Sequence, residues 1–240
     1  MTRAVADSEF KYAGSELELF EKARNWKAYW RGQIQEFIRG EVLEVGAGIG
    51  ANTLTLADLA YDRWTCLEPD AALAGRIAVP PGGRHQFAVG TIDDLPAEKK
   101  FDAILYIDVL EHIEDDRSEM ARAAGRLKSG GALIVLAPAH PFLFTPFDAA
   151  IGHFRRYTRA SLVASLQDAA PATLRVEKLV YMDAAGMLAS AANRLLLRSA
   201  MPTERQILTW DRLLVPVSRR IDAVFAGRVG KSVLGIWRKA

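Results

Sequence analysis

"EVLEVGAGIG", residues 41–50, decides the fold. It opens as a short apolar-rich run of strand type and passes directly into Gly46, Gly48 and Gly50. A tight strand-to-helix turn would account for one glycine. Three in five positions, just before the helix-spaced "ANTLTLADLA" of 51–60, are better accounted for by a ligand brought close to the backbone.

Outward from this loop the same alternation continues. Strands are expected at 63–69 ("RWTCLEP"), 85–90, 101–108 and 132–139, and helices at 70–78, with Asp70 as N-cap, and at 118–127, ended by "KSGG". An irregular aromatic stretch, 140–157, precedes a helix over 158–169 capped by Thr158. Strands follow at 173–183 and 231–239, with a helical insert between them that Pro202 and Pro216 break. Alternating strands and helices predict a mostly parallel sheet with helices on both faces. Ligands of such sheets bind beyond the carboxyl ends of the strands, where Gly46–Gly50 lie.

Composition sets the outer limits. The chain has 240 residues, 50% hydrophobic and 25% charged, which is globular and ample for a core. Cys66 is the single cysteine, so a disulfide framework is excluded and a reducing, cytoplasmic compartment is expected. The N-terminal "MTRAVADSEFKYAGSELELF" lacks the apolar run of a signal peptide. No segment approaches the roughly 20 apolar residues of a membrane span. Residues 194–240 hold ten Lys/Arg against three Asp/Glu, although the net charge is only +2, so the rest of the chain is acidic.

The spacing Gly46, Gly48, Ala51 fits the G-x-G-x-x-G/A pattern of adenosine-ligand sites. Glu68 follows at the end of the next strand, placed for a ribose diol. That spacing suits NAD and other adenosine ligands alike. Glu44, two residues before the first glycine, separates them. A carboxylate there repels a pyrophosphate and suits a ligand with an ammonium or sulfonium charge; a solvated or capping acid is its plainer reading.

"VLEVGAGIGANT", "CLEPD", "VGTIDDLP", "FDAILYIDVLEHIEDD" and "LKSGGALIVLAPA" follow in this order. Together they closely resemble the motif series of class I S-adenosylmethionine-dependent methyltransferases, in particular the small-molecule branch, over residues of about 40–180. The resemblance implies a Rossmann-like α/β fold: a seven-stranded sheet whose one antiparallel strand is "KSVLGIWRK". It also divides the chain into an N-terminal helical lid (1–40), a core (41–183 and 230–240) and a helical insert (184–229). S-adenosyl-L-methionine is then the cofactor. Glu44 and the backbone of Gly46, Ala47, Gly48 and Gly50 border its methionine part. Glu68 binds the ribose, and Pro69 lies against the adenine. Thr91, Ile92 and Asp93 contact the adenine ring and its amino group, and Asp108 and Val109 pass under the sulfonium. In the lid, Trp26 or Trp30 covers the cofactor; packing on the sheet is the plainer role for its other aromatic residues.

The acceptor side is read from the residues themselves. If the acceptor is a hydroxyl, a base is needed, and His153 in "GHFRRYT" and His112 in "VLEHI" are the candidates. A loop-pinning role for His153 is the alternative. Phe142, Phe144, Phe147, Phe154 and Tyr157 form an expected aromatic pocket, and Arg155 or Arg156 clamps an anionic substrate or bonds carbonyls and carboxylates. His85, His112, His140 and His153 have no metal-ligand spacing, so no metal is expected. The insert is a cover, a homodimer contact, or a basic amphipathic surface for weak membrane contact with a lipid-linked acceptor. Nucleic acid is not expected as a partner. The reading is a methyltransferase for a small or lipid-linked acceptor, at oxygen. Its rivals are a nicotinamide oxidoreductase, a cofactor-binding scaffold, and a protein or RNA methyltransferase.

Overall fold

A computed structural model of the chain describes residues 11, 12, 14, 17–78, 83–166, 174–196 and 202–240. The start of the expected lid, the end of the helix expected over 158–169 and the insert's residues 197–201 lie outside the described residues.

The elements follow the alternation. Helices α1 (Leu17–Glu21) and α2 (Arg24–Ile34) precede β1 (Glu41–Val45), the glycine loop and α3 (Ala51–Leu56). Then come β2 (Arg63–Glu68), α4 (Ala71–Ala74), β3 (His85–Val89), β4 (Phe101–Ile107), α5 (Asp116–Gly125) and β5 (Leu127–Pro138). Helices α6 (Pro146–Ala150) and α7 (Arg159–Ala164) lead to β6 (Leu174–Met182). The insert supplies α8 (Ala184–Leu196), α9 (Glu204–Thr209) and α10 (Val215–Val224), and β7 (Ser232–Lys239) closes the chain.

The seven strands form one sheet in the order β3-β2-β1-β4-β5-β7-β6. Strand β7 runs antiparallel to both β5 and β6, as expected for "KSVLGIWRK", and the other described pairings are parallel. The period-2 alternation of strands divides the core into two layers. Ala103, Leu105, Ile134 and Leu136 face Trp26, Trp30 and Ile34 of α2 together with Ile207, Trp210 and Val215 of the insert. Ile104, Tyr106, Leu133 and Val135 face Met120 and Ala123 of α5 and Leu162 of α7.

Expected caps are present: Asp70 accepts from Ala72 N and Leu73 N, and Thr158 accepts from Ser161 N. Two expectations need correction. "KSGG" does not end a helix; it lies inside β5, whose register against β4 jumps from Phe101↔Leu127 to Ala103↔Ala132, so the residues between bulge out. Gly130 carries the left-handed turn of that bulge, at φ +74°. Pro216 does not break the insert either. It sits in the first turn of α10, directly after a π-helical turn over Trp210–Leu214 that is wider than an α-turn and joins α9 to α10.

Candidate functional site

A cavity of about 740 Å³ opens at the carboxyl ends of the central strands. Gly46, Ala47 and Gly48 form its floor, and Phe20, Trp26 and Trp30 rise from the N-terminal helices beside it. Asp108, Glu111 and His112 enter from the end of β4, and Phe147, Asp148, His153 and Arg156 from the segment after β5. Ile207 and Trp210 of the insert and Lys231 complete the wall.

The glycines have separate tasks. Gly46, at φ +66°, lies so near Val109 that a Cβ would stand 2.6 Å from a valine methyl. A Cβ on Gly48 would meet only Leu17, at 3.7 Å, so there is room beside its Cα for a ligand. Gly50 is the left-handed N-cap of α3 and is not part of the cavity wall.

Glu44 departs from expectation. The strand alternation that buries Val42 against α2 and α3 turns Glu44 the same way, so it does not line the cavity. Its Oε2 accepts from Thr53 Oγ1 at 2.6 Å and Trp64 Nε1 at 2.9 Å, while its Oε1 has no protein partner. Burial pushes this carboxyl up to about 7, against the two hydrogen bonds that favour its ionised form.

Glu68 is buried at the end of β2, where its carboxylate accepts from Gly48 N at 2.8 Å and Asp70 N at 2.9 Å. It braces the glycine loop from behind the cavity wall. Pro69, Thr91, Ile92 and Asp93 are not part of the wall either. Thr91 N–H and hydroxyl both donate to Asp94, Ile92 is buried in the core, and Asp93 pairs with Arg122 at 3.3 Å.

Asp108 does line the cavity. It is accessible from that cavity yet surrounded by protein, at a left-handed φ of +54°. Confinement pushes its carboxyl up to about 6, opposed by the positive fields of His153, Lys231 and Arg156. Strained backbone at a non-glycine residue in a cavity is a frequent mark of a functional position.

His112 and His153 meet edge to face, with ring centroids 4.5 Å apart. His153 Nδ1 lies 3.0 Å from Asp148 Oδ1, and its Nε2 lies 3.8 Å from Glu111 Oε1. An Nδ1–H donated to Asp148 leaves the Nε2 lone pair free. Asp148 also accepts from Thr145 N and Oγ1 and from Arg156 Nε and Nη2. Burial pushes its carboxyl up, but the bonds from His153 and Arg156 outweigh this and hold it well below the usual range. Burial, then the charge of His153, lowers His112 to about 4. Glu111, 1% exposed, has no hydrogen-bond partner on either carboxylate oxygen, and burial and then Asp108 push it well above the usual range.

Several expectations change here. The loop-pinning and cavity-facing readings of His153 hold together, because Asp148 grips one ring nitrogen while the ring lines the cavity. Arg156 is spent on Asp148, and Arg155 on Asp116 and the Glu114 carbonyl, so neither is a ready clamp for an anion. The aromatic wall is also different. Phe142 and Phe154 are exposed, Tyr157 is buried under α5 and α7, and only Phe147 of the expected set reaches the cavity. Phe20, Trp26, Trp30 and Trp210 take that place.

Asp148, Glu111 and Lys231 were not anticipated. A "TPFD" capping-box pattern marks Asp148 in the sequence, but its grip on His153 and Arg156 belongs to the folded loop. Lys231 Nζ sits 3.4 Å from Asp183 Oδ2 and 3.7 Å from the Trp210 ring centroid. Burial lowers its affinity for a proton, against the field of Asp183.

Residues 43–135 match the family described as a methyltransferase domain. A ubiquinone biosynthesis O-methyltransferase of Rickettsia felis is 26% identical over 97 residues, 40% of each chain. A demethylmenaquinone methyltransferase of Tropheryma whipplei is 36% identical over 119 residues, 45% of this chain and 46% of that one. The chain thus spans less than half the length of these curated relatives. Among solved structures, N-methyltransferase NodS of Bradyrhizobium japonicum WM9 with S-adenosyl-L-homocysteine superposes with a TM-score of 0.57 at 17% identity, covering 92% of this chain and 87% of that one. The YcgJ protein of Bacillus subtilis gives 0.56 at 16%, covering 88% and 98%. Residues 43–135 thus match a methyltransferase domain, and the chain shares its fold with solved methyltransferases.

Proposed function

We propose that this chain is an S-adenosylmethionine-dependent methyltransferase acting at oxygen on a small or lipid-linked acceptor. The observation that carries the reading is one cavity. It joins an open glycine loop, a confined carboxylate and an aromatic wall to a histidine held by a buried aspartate. The residues fit a sulfonium ligand: Gly48 leaves room beside its Cα, Asp108 supplies negative charge, and the faces of Trp26 and Trp30 favour a cation. Gly46, Ala47 and Gly48 would hold the methionine part, and Glu68 the ribose. Pro69, Thr91, Ile92 and Asp93 would border the adenine, with Asp108 and Val109 beneath the sulfur. Gly50 and Glu44 serve from behind, as the cap of α3 and the anchor of Trp64.

When bound, the cofactor supplies an electrophilic methyl group on a good leaving sulfur. What remains for the protein is alignment of the acceptor oxygen and removal of its proton. His153 Nε2 takes that proton, and Asp148 holds the ring in its tautomer and stabilises the imidazolium that results. His112, lowered by burial, stays neutral beside it. The helical lid and the insert exclude water from above.

By their names, two relatives act in ubiquinone biosynthesis and on demethylmenaquinone, which favours a lipid-linked quinone-type acceptor. No described helix is long and apolar enough to cross a membrane, so such an acceptor would be met at the membrane surface, through the insert.

Thermal unfolding tests the cofactor. S-adenosylhomocysteine should raise the melting temperature and NAD should not at matched concentration. Tighter binding of NAD by calorimetry would replace this reading with that of a nicotinamide oxidoreductase.

A further inference from the structure

We infer that Glu111, His112 and His153 form a binding site for one divalent transition-metal ion of zinc type. One ligand atom from each lies within 4.8 Å of the other two, on the wall of the cavity. Glu111 is the first sign. Both its oxygens are buried without a hydrogen-bond partner, whereas neighbouring Asp148 accepts from Thr145 and Arg156. A buried polar group left unpaired is costly, and a coordinated cation would satisfy it.

The imidazoles are the second sign. Metal-binding histidines usually fix one ring nitrogen on a carboxylate or carbonyl and offer the other. His153 does so through Asp148, and a ring nitrogen of His112 donates to the Gly152 carbonyl. Each ring therefore keeps one lone pair. Two imidazoles and one carboxylate suit zinc, cobalt or iron, whereas magnesium prefers oxygen ligands. Ligands about 2.1 Å from a tetrahedral ion lie about 3.4 Å apart, so the three side chains need to close by up to about 1.4 Å. The neighbouring cations do not forbid it: Arg156 is engaged by Asp148 and Lys231 by Asp183. Sequence spacing hides this site, because only the fold brings His153, beyond β5, to the Glu111–His112 pair.

The ion's use rests on the methyltransferase reading; its binding does not. With three protein ligands, a fourth position faces the cavity. An acceptor hydroxyl there would ionise more readily, since bound cations lower the pKa of coordinated oxygen. In that state His153 is a ligand, and the proton leaves to solvent or to Asp108. The role of His153 as proton acceptor belongs to the metal-free protein.

The test uses the full chain, stripped with EDTA and dialysed, then titrated with Zn²⁺, Co²⁺ and Mg²⁺ by calorimetry. One equivalent of Zn²⁺ and of Co²⁺ is expected, with visible absorption of low-coordinate Co²⁺, and no Mg²⁺ binding. Glu111→Gln and His112→Gln should each weaken Zn²⁺ binding at least tenfold. His140→Ala, outside the cluster, should leave it unchanged. Unaltered circular dichroism and melting in EDTA check that each variant folds. Absence of stoichiometric binding, or equal binding by folded Glu111→Gln, overturns the site. S-adenosylhomocysteine binding to the same stripped protein judges the methyltransferase reading separately, so either can fail alone.

Discussion

Glu44 shows how much one carboxyl can weigh. It is 2% exposed, and one of its oxygens has no protein partner. Burial raises it from an ordinary 4.5 to about 7. An acid raised in the fold binds its proton more tightly there than in the unfolded chain. Its contribution to stability is therefore complete below pH of about 4.5 and is lost as pH rises through about 7. The loss amounts to roughly 3 kcal/mol. Glu44→Gln keeps an oxygen for Thr53 and Trp64 and removes the ionisation. The wild-type melting temperature should fall between pH 5 and 8, and the variant's should fall less, by several degrees at roughly 2–4 °C per kcal/mol. Asp108 and Glu111, also raised, act in the same direction and keep some slope in the variant. Superimposable melting profiles would show that Glu44 ionises freely in the fold.

Between elements, an aspartate of the insert caps one of the N-terminal helices. The N-cap of helix α2 is Ala23, whose side chain caps nothing. Asp211, from the π-helical turn of the insert, does the capping instead: Asn25 N, Asn25 Nδ2 and Trp26 N donate to it at 3.2, 3.1 and 2.9 Å. A second tie runs from Tyr29 hydroxyl to Asp222, at 2.8 Å. Loss of an N-cap costs about 0.5–2 kcal/mol. Asp211→Ala should lower stability by about that much and speed amide exchange at Asn25 and Trp26, leaving Leu105 and Ile134 of the sheet protected. Unchanged exchange at α2 would refute the remote cap. Such links mark the limit of the sequence. The strands were legible because buried parallel strands read as apolar runs, and the glycine loop because its residues are contiguous. A cap supplied from the far end of the chain leaves no local pattern, and neither does the meeting of His112 with His153. Glu44 was misplaced for a subtler reason: the alternation groups it with Val42, but which helices cover that face is decided by tertiary packing. "KSGG" reads as a helix stop, and only its pairing with β4 makes it a bulge.

On the scale of the whole molecule, the insert has two faces with opposite tasks. Ile207 and Trp210 look into the cavity, while Leu213, Val217, Val224 and Phe225 lie exposed on the outer side. Arg205, Arg212, Arg219, Arg220 and Arg228 are exposed in the same stretch. Its acids do not offset them: Asp211 and Asp222 are buried, and Glu204 is paired with Lys22 at 2.8 Å. Exposed apolar side chains among unopposed arginines suit an anionic bilayer, on the outer side of the elements that wall the cavity. Each arginine near such a surface is worth about 1 kcal/mol, and the attraction fades over roughly 8 Å at physiological salt. Attachment should therefore be weak and reversible, in keeping with the proposed lipid-linked acceptor. In vesicle cosedimentation, binding should rise with anionic lipid and fall with salt. It should also fall when Arg212, Arg219 and Arg220 are replaced by Gln, and when Val224 and Phe225 are replaced by Ser. Protein left in the supernatant at low salt with strongly anionic vesicles would end the membrane reading. If light scattering then gave twice the chain mass, and the Val224 and Phe225 changes returned it to one, the outer face would be a contact between two copies.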